Sequence, residues 1–131
     1  MAKIDLHIHS NFSDGVFSPR ELLEMLQQYD YDLVSITDHD TIDGCVEGMK
    51  LAPHYDISMI SGVEVSTDVD GRDIHILAYG FDIENKAFRK FLLGIEKGRM
   101  NRARKIVKLL AKQDMKLDFK EVIKSQIIGV E

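Results

Sequence analysis

The stretch DLHIHSNFSDG, residues 5–15, joins a short apolar strand to an acidic turn that ends in glycine. Side chains of an extended strand alternate between faces, so Leu6 and Ile8 point one way while Asp5, His7 and His9 point the other. A strand buried on one face gains nothing from two imidazoles on the other unless they bind something. Asp14 lies in the turn that follows. Residues 3–9 are therefore predicted to be a strand whose far face and following turn carry candidate ligands.

Working outward, FSPRELLEMLQQY (17–29) has the marks of a helix start. Ser18 suits the N-cap, Pro19 the first helical position and Glu21 the capping box. Leu22, Leu23, Leu26 and Tyr29 then form one apolar stripe. YDLVSIT (31–37) is predicted as a second strand, DHDTIDG (38–44) as a loop, CVEGMKLA (45–52) as a short helix ending before Pro53, and ISMISGVEVSTDV (57–69) as a single third strand. Asp70-Gly71 is a strong two-residue hairpin signal leading into RDIHILAYGF (72–81). A helical pattern runs from Glu84 to about Lys112, and residues 118–127 suggest one more helix. Alternating strand and helix imply parallel β/α units with the hairpin grafted on.

Composition narrows the class. A length of 131 residues fits one domain, and 44% hydrophobic residues argue against disorder. No apolar run approaches the roughly 20 residues needed to span a bilayer, and the first ten residues hold no secretory h-region. One cysteine, Cys45, excludes an internal disulfide and permits a reducing compartment, so a cytoplasmic location and no membrane partner are expected. Charge is uneven: residues 1–85 hold four basic and seventeen acidic side chains, whereas residues 86–112 hold ten basic side chains and only Glu96. The basic run is either a solvated helix face or a surface for anions.

Four of the five histidines, His7, His9, His39 and His75, fall at or just after predicted strands, where ligand groups gather in β/α folds. His39 lies between Asp38 and Asp40. With a two-residue loop at 70–71, Ser66 faces His75 and Glu64 faces Leu77, which makes Glu64 and His75 diagonal neighbours on one face. A mixed nitrogen and oxygen set without thiolate suits zinc, manganese or iron, and several carboxylates among several imidazoles suggest more than one ion. Such a cluster is equipped to hydrolyse phosphate esters. His54 is expected to be an ordinary surface or core residue, Asp70 and Asp73 turn formers, and Cys45 a small buried hydrophobe.

DLHIHSNFSDG, SITDHDT (35–41) and SGVEVS…HILAYGFD (61–82) resemble the polymerase and histidinol phosphatase (PHP) family of metal-dependent phosphoesterases, most nearly its stand-alone branch. The resemblance implies an α/β fold: part of a distorted (β/α)7 barrel over residues 1–84, with the β-hairpin, and a helical C-terminal extension over 85–131 that begins an insertion subdomain. It implies two or three divalent ions (Mn, Fe or Zn), with His7 and His9 holding one. Glu64 would bridge to a second held by His75, and Asp14 and His39 would hold a third. Asp38 and Asp40 would act at the catalytic centre or orient imidazoles from behind. The implied reaction is hydrolysis of a phosphate ester, in a nucleotide or short oligonucleotide, by a metal-activated hydroxide.

The family pattern continues into an Arg-Pro-His stretch and an Asp-x-His pair, and this chain holds no histidine after His75. The expectation is a fragment of a longer protein. The alternatives are a barrel completed by a second copy or another chain, a degenerate relative that binds metal weakly and catalyses nothing, and a non-catalytic metal-binding or regulatory module of a polymerase assembly, since polymerase-attached members share these early motifs. A lone chain with open sheet edges is expected to associate or to be marginally ordered. Finally, Arg99 falls on the apolar stripe Phe88, Leu92, Ile95, Ala103, Ile106, Leu110 of the basic helix. Arg99, helped by Arg102, is expected to grip a substrate phosphate by forked hydrogen bonds, or else to snorkel.

Overall fold

The computed structural model describes residues 2–124. Strand β1 (Ile4–Ile8) is followed by helix α1 (Pro19–Gln28), which starts where the sequence signals place it. The Ser18 side chain accepts from the Glu21 N–H, and the Glu21 carboxylate accepts from the Ser18 N–H at 2.8 Å, so the box is reciprocal. Strand β2 (Leu33–Ile36), helix α2 (Asp43–Leu51), a 3-10 turn (Ala52–Tyr55) and the two-residue strand β3 (Ser58–Met59) come next. β1, β2 and β3 form a parallel sheet in that order. Leu22, Leu23 and Leu26 of α1 cover Val34 and Ile36 of β2, with Cys45, Ala52 and Ile57 closing the cluster. Each large aliphatic side chain buried in this way contributes about 1.5–3 kcal/mol.

Strands β4 (Gly62–Val69) and β5 (Arg72–Tyr79) form a separate antiparallel hairpin. Its register is the expected one, with Ser66 opposite His75 and Glu64 opposite Leu77. The expectation of one continuous strand over 57–69 is corrected: β3 and β4 lie in different sheets. The chain changes partner at Ser61 and Gly62. Ser61 is turned toward the hairpin, its hydroxyl donating to the Phe81 carbonyl at 2.7 Å. Gly62 lies so near Ser35 that an added Cβ would stand 2.0 Å from the Ser35 Oγ. Periodicity of apolar residues reports burial and is blind to a change of partner.

The sheets are stitched together beyond the end of β2. Glu64 N–H donates to the Asp38 carbonyl at 3.2 Å and Asp40 N–H donates to the Glu64 carbonyl at 2.9 Å. These bonds make a parallel bridge between His39 and Glu64. Helix α3 (Lys86–Ala111) is capped by the Asn85 side chain, which accepts from Phe88 N–H. It starts two residues later than the periodicity suggested. Leu92 packs with Ile42, Val63 and Val65 in a second, smaller core. Helix α4 (Phe119–Lys124) occupies part of the expected 118–127 helix, and residues 125–127 lie outside the described residues. Among the described residues no helix is long and apolar enough to cross a membrane.

Candidate metal centre

Glu64 is the hub. It projects from the polar face of the hairpin, 6% exposed, into the seam between the two sheets. Its Oε2 lies 3.0 Å from His7 Nε2 and 2.8 Å from His9 Nε2, and its Oε1 lies 3.0 Å from His75 Nδ1. His39 Nδ1 stands 3.7 Å from the same Oε2. On the other side of the cluster, Asp14 reaches His9 Nδ1 at 2.6 Å and His39 Nε2 at 3.6 Å. All six candidate ligands, from four separate segments of the chain, therefore meet in one place. They fall into three overlapping sets, His7/His9/Glu64, His9/Asp14/His39 and His39/Glu64/His75. The fifth histidine, His54, is exposed on the 3-10 turn and belongs to none of them.

The residues fit divalent ions on two grounds. Within each set the donor atoms lie within 4.8 Å of one another. Two ligands bound at 2.0–2.2 Å to one ion stand about 3–3.5 Å apart, a range bracketed by the 2.8–3.7 Å contacts around Glu64. The second ground is His39 Nδ1, which is buried and has no hydrogen-bond partner. A buried ring nitrogen left unpaired is costly, and coordination would satisfy it.

Electrostatics prepare the donors. Burial alone would raise the Glu64 pKa, but the hydrogen bond from His7 and the nearby His39, His7 and His9 rings outweigh it, and the carboxyl is held below its ordinary range. Burial likewise opposes ionisation of Asp14, and contact with His9, backed by His39, overcomes it and lowers that pKa. Burial depresses His39, with His9 and His75 adding to the shift against the pull of Glu64 and Asp14. At neutral pH the two carboxylates are thus anionic and His39 is neutral, the forms that bind metal.

The aspartates beside His39 are engaged elsewhere. Asp38 is fully buried and accepts from Ser10 N–H at 2.7 Å and from the Ser10 and Ser13 hydroxyls at 2.6 Å each. It anchors the turn between His9 and Asp14. Asp40, in the left-handed region at φ 57°, accepts from Ser66 N–H at 2.7 Å and forms an ion pair with Arg99. Arg99 is thus brought to the edge of the site, whereas Arg102 is exposed on the helix surface.

Sequence reasoning misses Ser10, Ser13 and Tyr79. The serines share a turn with Asp14, which is the available signal for them. Tyr79 donates its hydroxyl to the Leu6 carbonyl at 2.6 Å, tying β5 to β1 across 73 positions of sequence. No local pattern announces such a bond.

Over 80 residues, 61% of this chain, the sequence is 45% identical to a 5'-3' exoribonuclease of Haemophilus influenzae, of which it covers 29%. Over 106 residues, 81% of this chain, it is 37% identical to a 3',5'-nucleoside bisphosphate phosphatase of Chromobacterium violaceum, of which it covers 37%. A solved structure of an amidohydrolase from Chromobacterium violaceum, with bound sulfate and no metal, superposes with a TM-score of 0.83 at 32% identity, over 94% of this chain and 43% of that one. The chain thus spans about a third of the length of the curated relatives it matches. Since residues 5–126 match the PHP domain, nearly the whole sequence, the chain belongs to the PHP domain family.

Proposed function

We propose that this chain carries the first part of the metal centre of a phosphoesterase that hydrolyses phosphate esters of nucleotides or short oligonucleotides. The observation that carries the reading is the convergence of six donors on one seam, with His39 Nδ1 buried and unpartnered among them. The activities named for the Haemophilus and Chromobacterium relatives support the substrate class. In this reading the described strands are part of a distorted seven-stranded barrel, and further ligands come from additional sequence or a second chain.

His7, His9 and Glu64 would hold one ion, Glu64 and His75 a second, and Asp14 a third, with His39, whose neutral ring has a single lone pair, completing either the second or the third. Manganese, iron and zinc all suit nitrogen and oxygen donors. Bound there, such ions supply Lewis-acid polarisation of the phosphate ester and activation of water. The chain's own residues set the geometry. Glu64 presents its two carboxylate oxygens to different rings, an arrangement that would suit a bridging ligand if neighbouring ions were bound. Asp38 holds the 10–14 turn against β2, which orients His9 and Asp14. Arg99 brings a guanidinium to the rim of the site, where it pairs with Asp40.

Titration calorimetry and elemental analysis of the 131-residue chain test this directly. More than one Mn(II) or Zn(II) per chain is expected, with Glu64→Gln losing roughly 100-fold or more in affinity, beyond the 10- to 100-fold typical of residues that merely support a ligand. A chain that binds no ion, or a Glu64→Gln variant that binds as the parent does, would overturn the reading.

A further inference from the structure

Arg99 reaches the site through a protein carboxylate. The inner half of α3 is seated by Leu92, 4% exposed, and by Ile95 against the hairpin core. One turn beyond Ile95, the same stripe delivers the Arg99 guanidinium to Asp40, at 2.5 Å from its Oδ2. Asp40 is 4% exposed, so its charge is almost fully withdrawn from water.

What Asp40 does with its other groups gives the contact its meaning. Three hydrogen bonds tie the 38–40 segment to β4: Glu64 N–H to the Asp38 carbonyl, Asp40 N–H to the Glu64 carbonyl, and Ser66 N–H to Asp40 Oδ1. The first two are main-chain bonds on either side of Glu64. The third depends on a side chain, and that side chain is the one Arg99 pairs. His39 and Glu64, both candidate ligands, ride on the two strips being clamped.

We infer that Arg99 is a positioning residue for the metal centre: by neutralising buried Asp40 it locks the segment bearing His39 against the strand bearing Glu64. This rests on the metal reading of the cluster and goes beyond it, since Arg99 acts on the cluster through Asp40. A buried carboxylate deprived of its cation leaves an uncompensated charge. Asp40 would turn toward water, release the Ser66 amide and widen the His39–Glu64 spacing. Residues that support metal ligands from behind change affinity by roughly 10- to 100-fold when lost. The same guanidinium gripping a substrate phosphate directly would leave metal affinity in the absence of substrate unchanged, so the two roles separate cleanly.

The test is Mn(II) calorimetry on the parent chain and on Arg99→Gln, Arg99→Lys, Asp40→Asn, the Arg99→Gln/Asp40→Asn double variant and Arg102→Gln, without substrate. Arg99→Gln and Asp40→Asn are each expected to weaken one ion by roughly 10- to 100-fold. The double variant should be no worse than either single one, because both break the same link. Arg99→Lys, which keeps the charge and loses the planar guanidinium, should fall between, and Arg102→Gln should match the parent. Parent-like affinity in Arg99→Gln, or losses that add in the double variant, would refute the role. Amide exchange in metal-free protein supplies the second readout: Ser66 N–H should exchange faster in Arg99→Gln and in Arg99→Lys, while Val34 N–H in the parallel core should not. If the parent binds no ion, the metal reading fails and Ser66 exchange still decides whether Arg99 locks the clamp. Unchanged Ser66 exchange sinks the inference whatever the metal result.

Discussion

The parallel sheet and the hairpin each contribute candidate ligands to the same cluster, yet they are held in different ways. β1, β2 and β3 are short, five, four and two residues, but Val34 and Ile36 are fully buried beneath a layer of leucines from α1. The hairpin strands are eight residues each and fully paired, yet only part of their apolar face is covered. Val63 and Val65 are buried under Leu92 and Ile42, while Ile74 and Ile76 of β5 are 42% and 53% exposed. One half of the centre therefore stands on a packed core. The other half is held by hydrogen bonds at its edges: the 38–40 clamp on β4 and the Tyr79 hydroxyl on the Leu6 carbonyl. Glu64 and His75 belong to this second half, so their placement depends on seam contacts more than on packing.

The difference is open to direct attack, and the largest effect is expected in the parallel core. Leu23 is fully buried between α1 and β2. Leu23→Ala should cost about 2–5 kcal/mol, the range for deleting a buried leucine side chain, read from urea denaturation. A loss under about 1 kcal/mol, well below that range, would show that the parallel half is not the better packed of the two.

The seam itself comes next. A Cβ at Gly62 would stand 2.0 Å from Ser35 Oγ and 2.8 Å from Thr37 Cγ2. Ser35 cannot simply rotate away without cost, because it is buried and its hydroxyl donates to the Ile60 carbonyl at 3.1 Å. Gly62→Ala should therefore shift β4 away from β2 and destabilise by about 1–3 kcal/mol, as overpacking does. Metal affinity should fall with it, since Glu64 lies two residues along the same strand. Unaltered stability and unaltered metal binding would mean that the close approach of β4 to β2 does not position the site.

How far the sequence foretold this follows the same division. Ser18, Pro19 and Glu21 mark the start of α1 because capping is local chemistry, and Asp70-Gly71 sets the hairpin register because a two-residue loop leaves no slack. The convergence of the six candidate ligands was legible for the related reason that imidazoles placed at strand ends have few other uses. The split of residues 57–69 into two sheets was not legible, since an apolar run looks alike on either side of a change of partner. Nor was the engagement of Arg99 by Asp40, 59 positions away in sequence. The helical period places Arg99 on an inward line but cannot say whether a carboxylate of the protein or a phosphate of the substrate waits there. Legibility ends where a contact is set by the packing of distant elements.

The smallest effect probes the least covered surface. Ile76 lies opposite buried Val65 on the apolar face of the hairpin, yet it is half exposed, and β5 pairs with no strand but β4 among the described residues. An apolar side chain that keeps half its surface in water has lost little by folding. Ile76→Ala should then change stability by no more than about 0.5 kcal/mol, the usual size for a surface substitution, because the hydrogen bonds of the β4–β5 ladder do not depend on that side chain. A loss of about 2 kcal/mol or more would instead match the removal of a buried isoleucine. That result would place a cover over the open face in solution and remove the contrast between the two halves at its root: the hairpin would then be packed as firmly as the parallel sheet.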